Sequence, residues 1–208
     1  MTPFYRFIWS TVRILARLIF RLKAINEENI PAAGPFILAC NHISLTDPPF
    51  VAVSVKRPIH FMAKKELFKN RLFGRLITAL NSHPIQRGFD RQAIDTAVDI
   101  LKEGNGILIF PEGTRAKHGD FLTPKPGIGI VALKSKAPIV PVYINGSNKR
   151  MACFLGREKL AVVFGRPIEW GEISRHEDNK EGYRAVAEMV MSRIKKLKKD
   201  FSDRSLRA

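Results

Sequence analysis

A histidine and an aspartate lie five residues apart in the stretch N-H-I-S-L-T-D-P-P-F, residues 41–50. Two interpretations fit this spacing. In one, Asp47 is the N-cap of a helix whose first residue is Pro48, and His42 is only a loop residue. In the other, His42 is a general base, and the carboxylate fixes the tautomer of its ring and stabilises its charged form. These ten residues alone leave the choice open.

Short apolar runs alternate with helix-length segments along the chain, which predicts an α/β fold with a central, mainly parallel sheet flanked by helices. The predicted strands are residues 36–40, 59–63, 84–86, 107–110, 139–144 and 160–165. The predicted helices are residues 47–55, 64–80, 127–136 and 180–199, with another that is capped by Asp90 and ends before Gly104. In such sheets the chemistry lies on loops just beyond the carboxyl ends of strands. Two loops therefore become candidate sites, N-H-I-S-L-T-D after the first strand and P-E-G-T-R, residues 111–115, after the fourth.

The amino-terminal segment, residues 4–22, is rich in large apolar side chains but contains arginines at positions 6, 13, 17 and 21. These charges exclude a membrane span of ~18–20 apolar residues and do not fit a signal peptide. At 100° per residue the arginines form one narrow stripe of a helix. This pattern favours a helix in the plane of a lipid interface, although the helix could instead pack on the domain core. We predict a membrane-anchoring helix over residues 1–26 and a single α/β domain over residues 27–208.

Thirty-five Lys and Arg against nineteen Asp and Glu give the chain a formal charge of +16 and a pI near 10.2. This excess indicates a polyanionic partner, which could be nucleic acid, an anionic membrane surface or a phosphorylated substrate. The predicted strands lack the aromatic residues interleaved with basic ones that a nucleic-acid stacking surface needs, so we expect no nucleic-acid partner. The two cysteines and five histidines form no metal-ligand pattern, and we expect neither a metal nor a disulfide framework.

With both loops in view, the sequence resembles the 1-acylglycerol-3-phosphate acyltransferases, also called lysophosphatidic acid acyltransferases. The family pattern N-H-x-S-x-x-D, which contains the H-x-x-x-x-D (HX4D) motif, is matched at Asn41, His42, Ser44 and Asp47, and F-P-E-G-T-R is matched without change at residues 110–115. A third block, G-x-x-F-I-x-R, is matched only in part by N-S-H-P-I-Q-R, residues 81–87. The blocks V-P-V-x-I at residues 140–144 and K-P-G at residues 125–127 also agree.

The resemblance implies acyl transfer with His42 as general base and Asp47 as its orienting carboxylate. Histidine is the side chain best suited to accept a proton near neutral pH. The substrate's own hydroxyl attacks the thioester, so no serine nucleophile is needed, and Ser44 is expected to stabilise the turn.

The resemblance also implies a phosphate-binding group. Arg115 is the main candidate, because a guanidinium can hold two phosphate oxygens. Arg87 and Lys125 are further candidates, and Arg87 lies in the altered block. Glu112, Gly113 and Thr114 are expected to shape the loop or to contact substrate, and an alternative role for Glu112 and Gly113 is to hold the arginine. The remaining predicted positions are Pro141 and Val142, in the sheet core or along an acyl channel.

The expected function is transfer of a fatty acyl chain from acyl-CoA or acyl-ACP (acyl carrier protein) to lysophosphatidic acid, giving phosphatidic acid, with no cofactor beyond the thioester co-substrate. Alternatives are a sister acyltransferase that uses glycerol 3-phosphate or a lyso-aminolipid, a hydrolase, and a non-enzymatic binder of anionic membranes or nucleic acid. The expected location is the cytoplasmic face of the cell membrane, as a peripheral or monotopic protein. The partners are then an anionic membrane surface, the lysophospholipid and the acyl donor.

Overall fold

Seven strands form one sheet in the computed structural model, which describes residues 2–86, 90–116 and 120–206. The strands are β1 (Lys23–Ile25), β2 (Phe36–Cys40), β3 (Ile59–Lys64), β4 (Ser82–Ile85), β5 (Gly106–Ile109), β6 (Ile139–Asn145) and β7 (Ala161–Phe164). The α-helices are α1 (Pro3–Phe20), α2 (Asp47–Val53), α3 (Arg71–Ala79), α4 (Arg91–Lys102), α5 (Gly127–Ser135), α6 (Arg150–Phe154), α7 (Trp170–Ile173) and α8 (Lys180–Leu206). The strand order is β1-β7-β6-β2-β5-β3-β4, and β6–β7 is the antiparallel pair.

Strand β2 lies near the centre of the sheet, and all five of its residues are buried. It pairs in parallel with β5 on one side and β6 on the other, so that Leu38 lies opposite both Leu108 and Val140. A parallel strand covered on both faces is expected to be apolar throughout, as F-I-L-A-C is. The loop that carries His42 therefore begins at the end of a buried strand that is hydrogen-bonded to a neighbouring strand on each side.

Alternate residues of the strands point to two separate cores, one on each face of the sheet. Ile37 and Ile107 pack with α4, α5 and α8 on one face. Leu38, Leu108 and Val142 pack with α2 and the inner side of α1 on the other face. We call these the α8 face and the α1 face of the sheet.

Helix α1 packs on the α1 face through one side only. Tyr5 and Ala16 are buried, and the Trp9 indole N–H lies 3.0 Å from the carbonyl oxygens of both Ala52 and Val55 around the end of α2. The opposite side is apolar and exposed, as in Leu18, which is 74% exposed. No helix in the described part of the chain is long and apolar enough to cross a membrane.

The predicted α/β class with a mainly parallel sheet is confirmed, and most predicted elements are present within a few residues. Strand β1 was not predicted, because its three residues K-A-I are too few to show a period. The predicted helix over residues 64–80 is wrong in its first part, where the structure has a 3₁₀ helix, Lys65–Phe68, and then Asn70 as the side-chain cap of α3. The predicted strand at residues 84–86 is displaced, since β4 covers Ser82–Ile85.

The predicted N-cap role of Asp47 is wrong. Thr46 occupies the N-cap position of α2 and Asp47 is its first helical residue. The reason is that backbone N–H groups of the preceding loop, at Ile43 and Ser44, donate to the Asp47 carboxylate and turn it back toward the loop.

Candidate active site

His42 and Asp47 are in direct contact at the carboxyl end of β2. His42 Nδ1 lies 2.7 Å from Asp47 Oδ2, and Asp47 is fully buried. The same oxygen accepts the N–H groups of Ile43 at 2.7 Å and Ser44 at 2.8 Å. An ionised carboxylate only accepts hydrogen bonds, so it selects the tautomer in which Nδ1 carries the proton and Nε2 has the free lone pair. The loop thereby forms a histidine whose Nε2 can accept a proton from a substrate.

The His42 ring also joins the two sequence motifs. It stacks on Phe110, the first residue of F-P-E-G-T-R, with ring centroids 4.0 Å apart and an interplanar angle of 20°. In addition, Ala116 N–H donates to the His42 carbonyl oxygen over 2.8 Å. The His42 side chain is 17% exposed, so the stack and the Asp47 contact leave part of the ring accessible.

The side chain of Glu112, in F-P-E-G-T-R, connects its own loop to the His42 loop. Its Oε1 accepts the His42 N–H at 3.0 Å and its Oε2 accepts the Leu122 N–H at 2.8 Å, and the residue is only 1% exposed. Burial raises the pKa of the Glu112 carboxyl, and these two backbone N–H groups partly offset that rise. The structure thus supports the loop-shaping alternative for Glu112. These contacts leave untested whether Glu112 also holds the arginine or contacts substrate, and both roles stay predictions.

Gly113, Thr114 and Arg115 follow Glu112 and are all exposed. Gly113 has a φ of +67°, in the left-handed region that favours glycine. A Cβ at Gly113 would lie 3.2 Å from Lys125 Cγ, so the Lys125 side chain lies against this turn. Lys125 N–H donates to the Pro111 carbonyl oxygen over 2.7 Å, which fixes the backbone there. Two exposed cations, Arg115 and Lys125, therefore belong to the loop that packs on His42.

Two predicted positions are not part of this arrangement. Pro141 and Val142 are buried in β6, where they pair with Ala39 and Cys40 of β2. They belong to the sheet core, and an acyl-channel role for them stays a prediction. Arg87 lies outside the described residues.

Sequence reasoning missed Ser147. This residue is fully buried just beyond the end of β6, and its hydroxyl donates to Asp47 Oδ1. Its backbone carbonyl oxygen also accepts the Thr46 hydroxyl over 3.3 Å. The available signal was the N-G-S turn, residues 145–147, because it follows a third parallel strand at the same edge of the sheet.

Asn41, which the sequence analysis named in the motif without a role, has a structural role. Its side-chain amide donates to the Ile144 carbonyl oxygen at 3.1 Å and accepts the Ile144 N–H at 2.8 Å. This pair of hydrogen bonds fastens the end of β2 to the end of β6. The loop that follows β6, which carries Ser147, is thereby held beside the His42 loop.

A mainly parallel α/β sheet with a carboxylate-oriented histidine at its carboxyl edge, packed against F-P-E-G-T-R, defines the class of protein. The model of the family described as Acyltransferase matches residues 21–145. The chain belongs to this acyltransferase family.

Similar proteins agree with this assignment. The chain is 32% identical over 195 residues to a 1-acyl-sn-glycerol-3-phosphate acyltransferase of Bacillus subtilis (strain 168), covering 93% of this chain and 96% of that protein. It is also 32% identical over 176 residues to the protein of that name from Streptococcus pneumoniae, covering 83% of this chain and 64% of the relative. Among solved structures, the 1-acyl-sn-glycerophosphate (LPA) acyltransferase PlsC from Thermotoga maritima matches with a TM-score of 0.70 and 25% identity, covering 93% of this chain and 81% of that one.

Proposed function

We propose that this acyltransferase is a 1-acyl-sn-glycerol-3-phosphate O-acyltransferase. It transfers a fatty acyl chain from acyl-CoA or acyl-ACP to the free hydroxyl of lysophosphatidic acid and releases phosphatidic acid. The observation that carries the proposal is the His42–Asp47 contact, which lies directly against the loop bearing Arg115. The names of the relatives from Bacillus subtilis and Streptococcus pneumoniae support the choice of acceptor.

In the proposed reaction His42 Nε2 takes the proton of the acceptor hydroxyl while its oxygen attacks the thioester carbonyl carbon. The C–S bond then breaks, and the leaving thiolate takes the proton from the imidazolium, so that the products are an ester and a free thiol. Asp47 keeps the Nδ1 proton in place and stabilises the imidazolium during the transfer. Both proton transfers use the same nitrogen, so one histidine is sufficient for the whole reaction.

The acceptor phosphate is held, in this proposal, by Arg115 with help from Lys125. Both side chains are exposed beside the His42 loop, and a guanidinium can hold two phosphate oxygens at once. Arg87, in the altered third block, is a further proposed contact.

The acyl donor is a thioester, and the proposal requires no metal or other cofactor. The enzyme works at an anionic membrane surface, on the cytoplasmic face, as a peripheral or monotopic protein. The exposed apolar side of α1, flanked by the arginine stripe, supports this location. The two free, buried cysteines suit a reducing compartment.

The test is an acyl-transfer assay with purified protein in detergent, with acyl-CoA and acyl-ACP as donors. We expect lysophosphatidic acid to be acylated much faster than 1-monoacylglycerol, which keeps the acceptor hydroxyl but has a free hydroxyl in place of the phosphate. His42→Ala should lower the rate ~10²–10⁴-fold, the usual cost of losing a general base. Equal rates with both acceptors would contradict the role of Arg115, and a fully active His42→Ala variant would overturn the mechanism.

The assay also separates the alternatives. A preference for glycerol 3-phosphate or a lyso-aminolipid would indicate a sister acyltransferase. Thioester cleavage at the same rate without any alcohol would indicate a hydrolase.

A further inference from the structure

The exposed large apolar side chains of this protein are concentrated in a few elements. Six lie on α1, four on the segment from the 3₁₀ helix Lys65–Phe68 through α3, and three on or directly after α6. The other two are Leu45, in the His42 loop, and Leu122, in the loop that follows F-P-E-G-T-R. Helices α4, α5 and α8 contribute none among the residues whose side chains are described. A folded protein surface with this one-sided distribution is typical of an interaction site.

Helix α3 is the part of this surface that the sequence did not single out. At 100° per residue Leu72 and Leu76 share one stripe, with Phe73 at its border, and they are 80%, 39% and 44% exposed. Gly74 faces the other way and is the buried residue of the helix. A Cβ at Gly74 would lie 2.9 Å from the Phe68 carbonyl oxygen, so the helix packs on its own 3₁₀ segment through the glycine. The apolar stripe therefore points away from the protein.

The charges around α3 are almost all positive. Residues 64–80 contain five basic side chains and one acidic side chain, Glu66, and all six are exposed. The basic residues are Lys64, Lys65, Lys69, Arg71 and Arg75. An exposed apolar stripe bordered by lysines and arginines is the pattern of a helix that lies in an anionic lipid interface.

The topology places α3 on the same side of the molecule as α1. The connection from β2 to β3 carries α2 and crosses the sheet in the same direction as the connection from β3 to β4, which carries α3. Parallel crossovers are right-handed, so α3 lies on the face that carries α2 and α1. The Lys65–Phe68 segment directly follows the carboxyl end of β3, at the edge of the sheet where His42 lies.

We propose that α3 is a second lipid-contacting element, separate in the chain from α1, and that the two together lay the α1 face of the sheet against an anionic membrane. In this orientation the edge of the sheet that carries His42 faces the membrane, from which the lipid acceptor comes. This inference rests on the proposed function only in assuming that the acceptor is a membrane lipid. It adds to that function a second contact, which fixes the orientation of the enzyme on the bilayer as one helix alone cannot.

A lipid surface fits these observations better than an acidic protein such as an acyl carrier. Leu72 protrudes from a convex helix, and fluid acyl chains adapt to a ridge of this kind. A protein partner would need a preformed groove that matches it.

The experiment places one environment-sensitive dye on a single new cysteine in the full-length chain. The native Cys40 and Cys153 are both buried and are expected to react slowly. The labelled variants are Leu72→Cys on α3, Leu18→Cys on α1 and Ser192→Cys, an exposed position on α8. With vesicles of phosphatidylglycerol and phosphatidylcholine, we expect dye emission to shift to the blue at positions 72 and 18 and to stay unchanged at position 192.

Two results would overturn the proposal. One is a dye at position 72 that stays in water while the dye at position 18 enters the lipid. The other is a dye at position 72 that responds to acyl carrier protein and not to vesicles.

A second measurement uses the unlabelled Leu72→Ser variant. Because this side chain is 80% exposed, the variant should keep the wild-type melting temperature. Its partition coefficient into the same vesicles should fall about tenfold, as expected for one leucine lost from an interface. Its acyl-transfer rate on detergent-dispersed substrate should be unchanged, and a rate lost in detergent as well would contradict a purely lipid-contacting role. If the wild-type protein shows no acyl transfer in detergent, the proposed function fails while the vesicle result still decides the role of α3.

A matched pair of double variants tests the role of the positive charges around α3. Lys69→Gln/Arg75→Gln removes two charges from the α3 surface, whereas Lys134→Gln/Lys195→Gln removes two exposed charges from α5 and α8. We expect only the first pair to weaken binding to vesicles that contain phosphatidylglycerol, and the difference should shrink at high salt. Equal weakening by both pairs would mean that net charge, and not α3, drives binding.

Discussion

Ser147 and Asp47 are joined by a hydrogen bond between side chains a hundred positions apart in the sequence. The Ser147 hydroxyl donates a hydrogen bond to Oδ1, whereas His42 Nδ1 and two backbone N–H groups bind Oδ2. Both carboxylate oxygens therefore accept hydrogen bonds, although Asp47 is fully buried. A buried carboxylate is tolerated only with such partners, so the loop after β6 contributes to the site as directly as the two sequence motifs.

We predict that Ser147→Ala lowers kcat about tenfold and leaves KM for the acceptor almost unchanged. Asp47 Oδ1 loses a partner that water cannot easily replace, which costs about 1–3 kcal/mol and lets the carboxylate and His42 shift. The matched control is Ser54→Ala, since Ser54 is also buried and donates its hydroxyl to the Phe50 carbonyl oxygen of α2, away from the site. Steady-state kinetics and thermal unfolding of both variants check the prediction, and equal kcat values for the two would refute it.

Glu112→Gln should lower both stability and activity. Each Glu112 oxygen now accepts one backbone N–H, but in the glutamine one of these atoms becomes an NH₂ group that faces a donor. We expect the free energy of unfolding to fall by about 1–3 kcal/mol, because a buried N–H is left without an acceptor. Glu66→Gln, at an exposed position on the Lys65–Phe68 segment, is the control and should be neutral. Denaturant unfolding measures the difference, and a Glu112→Gln variant as stable as wild type would show that the two N–H groups find other acceptors.

The two loops of the site could be predicted from the sequence because each is one short, continuous segment of the chain. N-H-I-S-L-T-D and F-P-E-G-T-R directly follow apolar strands, and the approach of His42 to Asp47 needs only a turn of six residues. Ser147 was missed, and no role was predicted for Asn41, because their partners, Asp47 and Ile144, lie about a hundred residues away in the sequence. Such pairs depend on the order of strands in the sheet, and hydrophobic periodicity does not encode that order.

Helix α1 shows a different limit. From its arginine stripe and apolar residues, the sequence analysis favoured a lipid interface over packing on the core. It treated these two locations as mutually exclusive. The structure shows an inner side, with Tyr5 and Ala16, that packs on the domain and an outer side, with Phe7 and Leu18, that is exposed. A helix that is apolar on both sides of its charged stripe gives the same sequence pattern whichever side faces the protein.

We predict that Leu18→Ser weakens vesicle binding without lowering the melting temperature, because this side chain is 74% exposed on α1. Deleting residues 1–24 is a poorer test, since it also removes the buried side of the helix and two of the three residues of strand β1. Trp9→Phe is the matched control, because it removes the N–H shared by the Ala52 and Val55 carbonyl oxygens. It should lower the melting temperature and leave vesicle binding per folded molecule unchanged. A Leu18→Ser variant that partitions like wild type would contradict a membrane role for the outer side of α1.

His60 and His83 should make stability fall in mild acid. Nδ1 of His60 lies 2.9 Å from Nε2 of His83 across β3 and β4. Burial lowers the pKa of both rings; the neighbouring His83 lowers that of His60 further, and nearby Glu103 opposes the shift in both. Since the folded pKa values lie below the unfolded value of ~6.5, the unfolded chain binds more protons in this window. Stability is therefore full above the unfolded pKa and is lost as the pH falls through the lowered values.

We expect the melting temperature of the wild type to drop as the pH falls below the unfolded histidine pKa of ~6.5, and to drop less in His83→Gln, which keeps a polar partner for His60 without a titrating ring. His176→Gln, outside this pair, serves as the control and should follow the wild type. Identical pH profiles for His83→Gln and the wild type would show that the pair does not titrate in this range.

Two glycines of α5 should respond oppositely to alanine, because they differ in what a Cβ would meet. At Gly129 the new atom would collide with the backbone of Tyr183 in α8, whereas at Gly127 it would meet nothing within 4 Å. The backbone of α8 cannot move aside as a flexible side chain would, so we expect Gly129→Ala to lower the free energy of unfolding by about 1–3 kcal/mol. Gly127→Ala begins the same helix and should be neutral or stabilising by up to about 1 kcal/mol, because alanine loses less backbone entropy. Denaturant unfolding of both variants measures the difference, and equal effects would mean that helix propensity, and not the close approach of α5 to α8, governs this glycine pair.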